Sequence, residues 1–291
     1  MRFLVFGSAN IDHVYHLPRH VRPGETLASD QYQRNEGGKG LNQAIALAKA
    51  GQETYFAGAI GEDGIFLRDY LRDHHVHTEY LHILPVPTGH ALIQVDERGE
   101  NAIVLFGGAN QQISPDMIEE TLSQFEAGDY LLMQNEVSGG ERLIRAAFRR
   151  GMRVILNPSP MSAEIKAWPL EQVDWLILNE IEGGDLTGQA EPDAMLDALL
   201  SRCPDCHIVL TLGEKGSIYA DKTRRVFQER IPCRAVDTTA AGDTFTGYFF
   251  QAVAAGETVE QALAIAARAA AIAVSRPGAS RSIPWREEVL A

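Results

Sequence analysis

From Pro115 onward, short runs of apolar residues alternate with longer stretches of helical periodicity, and this constrains the fold more than any other feature. Helices are expected at Pro115–Phe125, Glu141–Arg150 and Glu191–Arg202. Strands are expected at Tyr130–Gln134, Arg153–Asn157, Trp175–Leu178 and Ile208–Leu212. Strands that are apolar throughout belong to a parallel sheet covered by helices on both faces. In such sheets ligands gather at the carboxyl ends of the strands. Polar side chains recur at those ends: Asn135 and Glu136, Asn157, Asn179 and Glu182. Each could equally cap the helix that follows, and the residues alone leave both roles open.

The first part of the chain is less regular. Phe3–Phe6 and Thr54–Ala59 read as strands and Gly64–His75 as a helix. Ala91–Asp96 and Ala102–Phe106, joined through Gly99, form a hairpin that interrupts the alternation. With a weakly alternating strand over Thr26–Gln33 it predicts a small separate sheet, drawn from about residues 12–36 and 88–107, of the kind that closes over a reaction centre. A decorative hairpin or a dimer surface is the alternative. A second hairpin is expected at Ser217–Ala220 and Arg225–Gln228. An alanine-rich helix close-packed on both sides is expected over Thr258–Ser275. No linker divides the 291 residues, so a single α/β domain over 1–291 is expected.

The formal charge of −13 argues against nucleic acid or an anionic membrane as the main partner. The three cysteines form no disulfide framework, and no apolar run approaches the ~20 residues of a membrane span. A soluble, cytoplasmic protein is expected. His74, His75, His77 and His82 match no zinc spacing and read as solvated surface. Cys203-Pro204-Asp205-Cys206-His207 matches a haem-attachment spacing, but the compartment is wrong for it.

Three motifs carry chemistry. Asn10 and Asp12 follow the first strand two residues apart, on one face of an extended segment, and suit a polyol as well as a polar turn. Gly37-Gly38-Lys39-Gly40-Leu41-Asn42-Gln43-Ala44 opens a helix without being a Walker A loop, since no Ser or Thr follows the lysine. Its glycines allow close backbone approach, and Lys39 and Asn42 could reach the pocket of Asn10 and Asp12. The third is Asp237-Thr238-Thr239-Ala240-Ala241-Gly242-Asp243, small residues between two carboxylates, leading from an extendable Ile231–Val236 into a helix. A helix opening on small residues offers unpaired N–H groups to a phosphate. Asp243, beside that anion, would not bind it and would instead take a proton from an attacking hydroxyl. A simple N-capping aspartate would leave the same pattern.

Together these motifs, with Gly7–Asp12, Asn179–Glu182, Thr211–Gly216 and the tail Ile283–Glu288, resemble the ribokinase (PfkB) family of carbohydrate kinases nearly end to end. The resemblance implies a three-layer α/β/α core with a mainly parallel sheet and a small β-sheet lid. It implies transfer of the γ-phosphoryl of ATP to the primary hydroxyl of ribose or a similar sugar, with Mg²⁺ and K⁺. Asp243 matches the general base, and Ala240, Ala241 and Gly242 the anion hole. Asn10, Asp12, Gly38, Lys39, Asn42, Glu136 and Asp237 match sugar-binding positions, and Ala91, Ile93 and Ile103 lid residues over the sugar. Asn179, Thr211 and Gly213 match nucleotide positions, and Glu182 the Mg²⁺ region. Asp237, Thr239, Ala273, Arg276, Gly278 and Ser282 match a monovalent-cation loop. A homodimer through the lid is implied, with no nucleic-acid or membrane partner. A nucleoside or small-polyol kinase is the alternative, then a non-catalytic sugar or nucleotide sensor. Position 240 is Ala where many members have Gly. Asn135 and His90 replace apolar residues and are expected to reshape the sugar pocket.

Overall fold

The computed structural model describes residues 1–291. The chain opens with β1 (Phe3–Phe6), β2 (Asn10–His16), β3 (Gln31–Gly37), α1 (Lys39–Lys49) and β4 (Thr54–Gly61). Next come α2 (Ile65–Asp73), β5 (His77–Leu84), β6 (Gly89–Val95) and β7 (Asn101–Phe106). The alternating part runs α3 (Pro115–Leu122), β8 (Tyr130–Gln134), α4 (Gly140–Arg149), β9 (Arg153–Asn157), β10 (Trp175–Asn179), α5 (Glu180–Thr187), α6 (Pro192–Arg202) and β11 (His207–Thr211). It ends with β12 (Ser217–Ala220), β13 (Arg225–Gln228), α7 (Ala241–Ala254), α8 (Val259–Val274) and α9 (Arg286–Leu290).

Nine strands form the main sheet in the order β13-β12-β11-β10-β9-β8-β1-β4-β5. All neighbours are parallel except β11–β12 and β12–β13. The pleat of β1 shows why its strands are apolar throughout. Leu4 and Phe6 enter the core under α3, α4 and α6, while Phe3 and Val5 enter the core under α1, α7 and α8. The helices begin where their caps predict. Ser114 accepts from the Met117 N–H, Asn179 from that of Glu182 and Thr258 from that of Gln261. No helix is long and apolar enough to cross a membrane.

From β1 the chain moves outward to β4 and β5, then returns to β8 on the other flank. The direction of winding reverses between β1 and β8, and a crevice opens at their carboxyl ends. Beside it, β3-β2-β6-β7 form the second sheet.

Several expectations are corrected. The strand expected at Thr26–Gln33 lies at Gln31–Gly37. Its polar residues are held by the β2 ladder, with Asn10 opposite Gly37, rather than by an apolar pattern. His75 and His77 are exposed, as expected of solvated surface, but His77 and His82 sit on the edge strand β5 and not in a loop, and His77 stacks on Tyr55. Ile231–Val236 is irregular, not extended into a strand. Helix α8 is packed on one side only. Ala262, Ala266, Ala269 and Ala273 are buried, while Ala267, Ala270, Ala271 and Val274 border an open cleft.

Candidate active site

Helix α7 points its N-terminus into the crevice. Ala240, its N-cap, adopts a left-handed conformation (φ 59°), an uncommon state for a residue with a Cβ and one that clusters at functional sites. The N–H groups of Ala240, Gly242 and Asp243 donate to nothing within the chain. That of Ala241 is engaged by the Thr238 carbonyl at 3.2 Å, so it is the weakest of the expected anion-hole donors. Space beside Gly242 is open.

Asp243 is buried in the first turn of α7, on the wall of a cavity of about 240 Å³ that also holds Lys39, Asn157, Asn179 and Glu182. Its carboxylate accepts from Asn42 Nδ2 at 3.1 Å and from Gln43 Nε2 at 2.9 Å. The Oδ1 of Asn42 is buried with no partner, an acceptor left free beside the carboxylate. Burial alone would lower the Lys39 ammonium. The carboxylates of Asp243, Glu136 and Glu182 outweigh it and hold the group above its ordinary value.

The sugar-site candidates converge at the ends of β1 and β8. Glu136 accepts from the Lys39 N–H at 3.1 Å and from the Ser8 hydroxyl, so it sits on the positive end of α1. Its burial pushes its carboxyl up. Asp12 lies against Gly37, where any Cβ would meet its carboxylate. Burial first, then Glu136 and Glu36, push the Asp12 carboxyl up to about 7. Gly38 has φ 97°, and a Cβ there would stand 2.8 Å from the Ser8 carbonyl. Asn10 accepts from Asn110 Nδ2 at 2.7 Å.

A second, mostly apolar cleft of about 290 Å³ adjoins the first, and Thr211, Thr238, Ala241 and Gly242 border both. Its walls include Gly213, Phe245, Ala267, Ala270, Ala271 and Val274. Asn179 caps α5 while Glu182 accepts from the Asn179 N–H at 3.0 Å, so the cap and the cavity-facing position coincide.

Asp237 is not with the sugar candidates. Both its oxygens are engaged in the loop, by Thr239 and by the Gly278 N–H at 2.9 Å. That bond joins the 237–239 and 276–282 loops, and Asp237 makes no hydrogen bond to the other sugar candidates. The carbonyls of Asp237, Thr239, Arg276 and Gly278 accept no hydrogen bond, while that of Ala273 accepts from the Arg276 N–H and the Ser282 hydroxyl donates to Ala279.

On the lid sheet, Ala91 stands opposite Asp12, Ile93 opposite Val14 and Ile103 opposite Ile93, so all share the Asp12 face. Ala91 is buried, but Ile103, on the outer strand, is 55% exposed. The expected effect of His90 and Asn135 on the pocket is not found. His90 lies one residue out of step with Asp12 and packs on His13 and Phe106, on the opposite lid face. Asn135 donates away from the cavity, to the Pro160 carbonyl at 2.7 Å.

The family model described as pfkB family carbohydrate kinase matches residues 2–286. The chain belongs to the PfkB family of carbohydrate kinases. PfkB relatives include a ribokinase of Haemophilus influenzae, 37% identical, with 98% of this chain and 96% of the relative aligned. A solved Arabidopsis thaliana ribokinase, complexed with ribose and ATP, superposes with a TM-score of 0.87 at 33% identity, over 99% of this chain and 97% of that one. The Thermotoga maritima ribokinase gives 0.89 at 32%, over 100% and 98%. As a PfkB chain this is a phosphotransferase with an alcohol acceptor on a ribokinase-like α/β fold. Within the PfkB site, sequence reasoning missed Ser8, Asn110 and Gln43. Ser8 stood in a quoted motif, but nothing in one sequence announces that a glutamate 128 positions away will accept its hydrogen bond.

Proposed function

We propose that this chain is an ATP-dependent kinase that phosphorylates the primary hydroxyl of ribose or a closely similar sugar. The observation that carries the proposal is Asp243 beside the free N–H groups of Ala240 and Gly242, on a cavity continuous with an apolar cleft. Adenine and ribose of ATP fit the cleft against α8. The γ-phosphoryl then lies at the α7 N-terminus, where helix amides stabilise the charge of transfer. Asn10, Asp12, Asn42 and Glu136 are hydrogen-bonding groups for sugar hydroxyls. Asp243 accepts the hydroxyl proton as the oxygen attacks phosphorus. The resemblance to a ribokinase solved with ribose and ATP supports the choice of substrates. A nucleoside kinase is disfavoured because His13, Tyr32 and Phe106 face away from Asp12.

The oxygen donors Asn179 and Glu182 on that cavity fit Mg²⁺ arriving on ATP phosphates. Mg²⁺ would neutralise charge on the transferring group. The unpartnered carbonyls of the 237–239 and 276–278 segments fit a bare monovalent cation such as K⁺. The unpaired cysteines are consistent with a cytoplasmic location, which cell fractionation would check. The apolar outer lid strand, with Val104 64% and Phe106 49% exposed, supports a homodimer through the lid.

ATP consumption against a panel of sugars and nucleosides tests the reading, with ribose or a close pentose expected to give the highest kcat/KM. Asp243→Asn is expected to lower kcat by about 10²- to 10⁴-fold with ATP still bound. Near-normal turnover in that variant sinks the base assignment. A metal chelator should abolish turnover, and replacing K⁺ by tetramethylammonium should lower it. Indifference to both would reject the two ion sites.

A further inference from the structure

From Asn157 on the cavity wall a row of side-chain amides runs back through Gln43 to Gln134, and the transfer step as described has no use for the two buried glutamines. Gln43 donates from Nε2 to Asp243 Oδ1 at 2.9 Å and to Asn157 Oδ1 at 3.2 Å. Its Oε1 accepts from Gln134 Nε2 at 2.6 Å. Asn157 donates onward from Nδ2 to the Ile177 carbonyl at 2.9 Å. Gln43 and Gln134 are fully buried and line neither cavity, so neither can touch a substrate.

Asp243 alone sets the direction of these bonds. An ionised carboxylate accepts and never donates, so the atom of Gln43 facing it is the NH₂. Gln43 Oε1 must then face Gln134, which presents its own NH₂ in reply. The oxygen left over is Gln134 Oε1, and it is buried without a partner. Gly7 keeps room for it, since a Cβ at position 7 would run into this oxygen. The row gives up one hydrogen bond at its far end and keeps a donor fixed on the carboxylate at the near end.

We propose that Gln43, backed by Gln134, is a positioning residue for phosphoryl transfer. It pins Oδ1 of Asp243 from β8 and α1 while Asn42 holds one side of Oδ2, so that the remaining lone pair of Oδ2 meets the sugar hydroxyl in one orientation. The inference rests on reading Asp243 as the base. The second torsion of an aspartate is broad, so packing of the stem alone does not fix the carboxylate plane. Sugar and ATP are held by other groups, and their binding is not expected to depend on the pin.

The test compares Gln43→Leu, Gln43→Glu and Gln134→Leu with the parent. Readouts are kcat and KM for ribose and ATP, ATP-site stoichiometry by calorimetry, and Tm. Expected is a fall in kcat per ATP site of about tenfold to hundredfold in both Gln43 variants, smaller in Gln134→Leu, with either KM changed by no more than about twofold. In Gln43→Glu the new carboxyl cannot donate until it is protonated. The ratio of its kcat to that of the parent should therefore rise as pH falls. Lys39 from α1, Glu136 from the end of β8 and Glu182 from α5 also act around Asp243, and they are common to both proteins in that ratio. A lower Tm with kcat per site intact overturns the proposal, as does a flat ratio. If Gln43→Leu does not fold, the other two variants decide. Intact kcat in the Gln43 variants beside an inactive Asp243→Asn overturns this inference alone. An active Asp243→Asn overturns the base assignment beneath it.

Discussion

Asp12 is the residue whose environment most alters its chemistry. Burial and two neighbouring glutamates raise its carboxyl to about 7, against 3.8 in the unfolded chain. Between those values the folded protein holds more protons at this site than the unfolded chain. The site therefore makes stability fall as pH rises through that window, by at most about 1.4 kcal/mol per pH unit. Asp12→Asn removes this term, so the Tm of the variant relative to the parent should climb between pH 4 and 7. A difference independent of pH would reject the assignment. The same shift predicts how sugar binds. Hydroxyls donating to Asp12 favour its ionised form, so affinity should strengthen from pH 6 to 8 with release of a proton. Calorimetry in buffers of different ionisation enthalpy reads that proton directly. Nothing in Asn10-Ile11-Asp12 foretold this, because the shift comes first from burial and then from Glu136 and Glu36, brought in from the end of β8 and from β3.

At the scale of elements, the site is a contact between two helices far apart in sequence. Helix α1 carries Asn42 and Gln43, and α7 carries Asp243. They approach closely because Gly247 has no side chain. A Cβ there would lie 2.8 Å from the Leu47 nitrogen and the Ala46 carbonyl carbon. Gly247→Val should destabilise the protein by about 1–3 kcal/mol, seen as a lower denaturant midpoint. It should also lower kcat, because it spreads Asn42 and Gln43 from the base they hold. Unchanged stability would mean the helices part without cost. The buried strands β8 to β11 were legible from their apolar runs alone. Strand β3 and the edge strand β5 were displaced or missed, because ladder bonds with neighbours hold them rather than any apolar pattern of their own.

On the scale of the whole molecule, the lid strand β7 is exposed along its length, and its apolar side chains from Ile103 to Phe106 stand about half open to solvent. Val104→Lys should shift a dimer toward monomer in sedimentation velocity at micromolar concentration. A monomeric parent would dismiss the lid interface. Apolar runs, caps and glycine-rich turns are local signals, and they determined the α/β class, the element order and the motifs at the strand ends. The two linear motifs around Gly37 and Asp237 were enough to point at phosphoryl transfer to an alcohol. Tertiary structure decided which groups meet. It sent Asp237 to a loop contact with Gly278, turned His90 and Asn135 away from the pocket, left one flank of α8 as a cleft, and set Gln43 against Asp243. The reason is physical: a side chain's direction and proton affinity depend on partners from tens to hundreds of residues away, and local sequence patterns do not encode them.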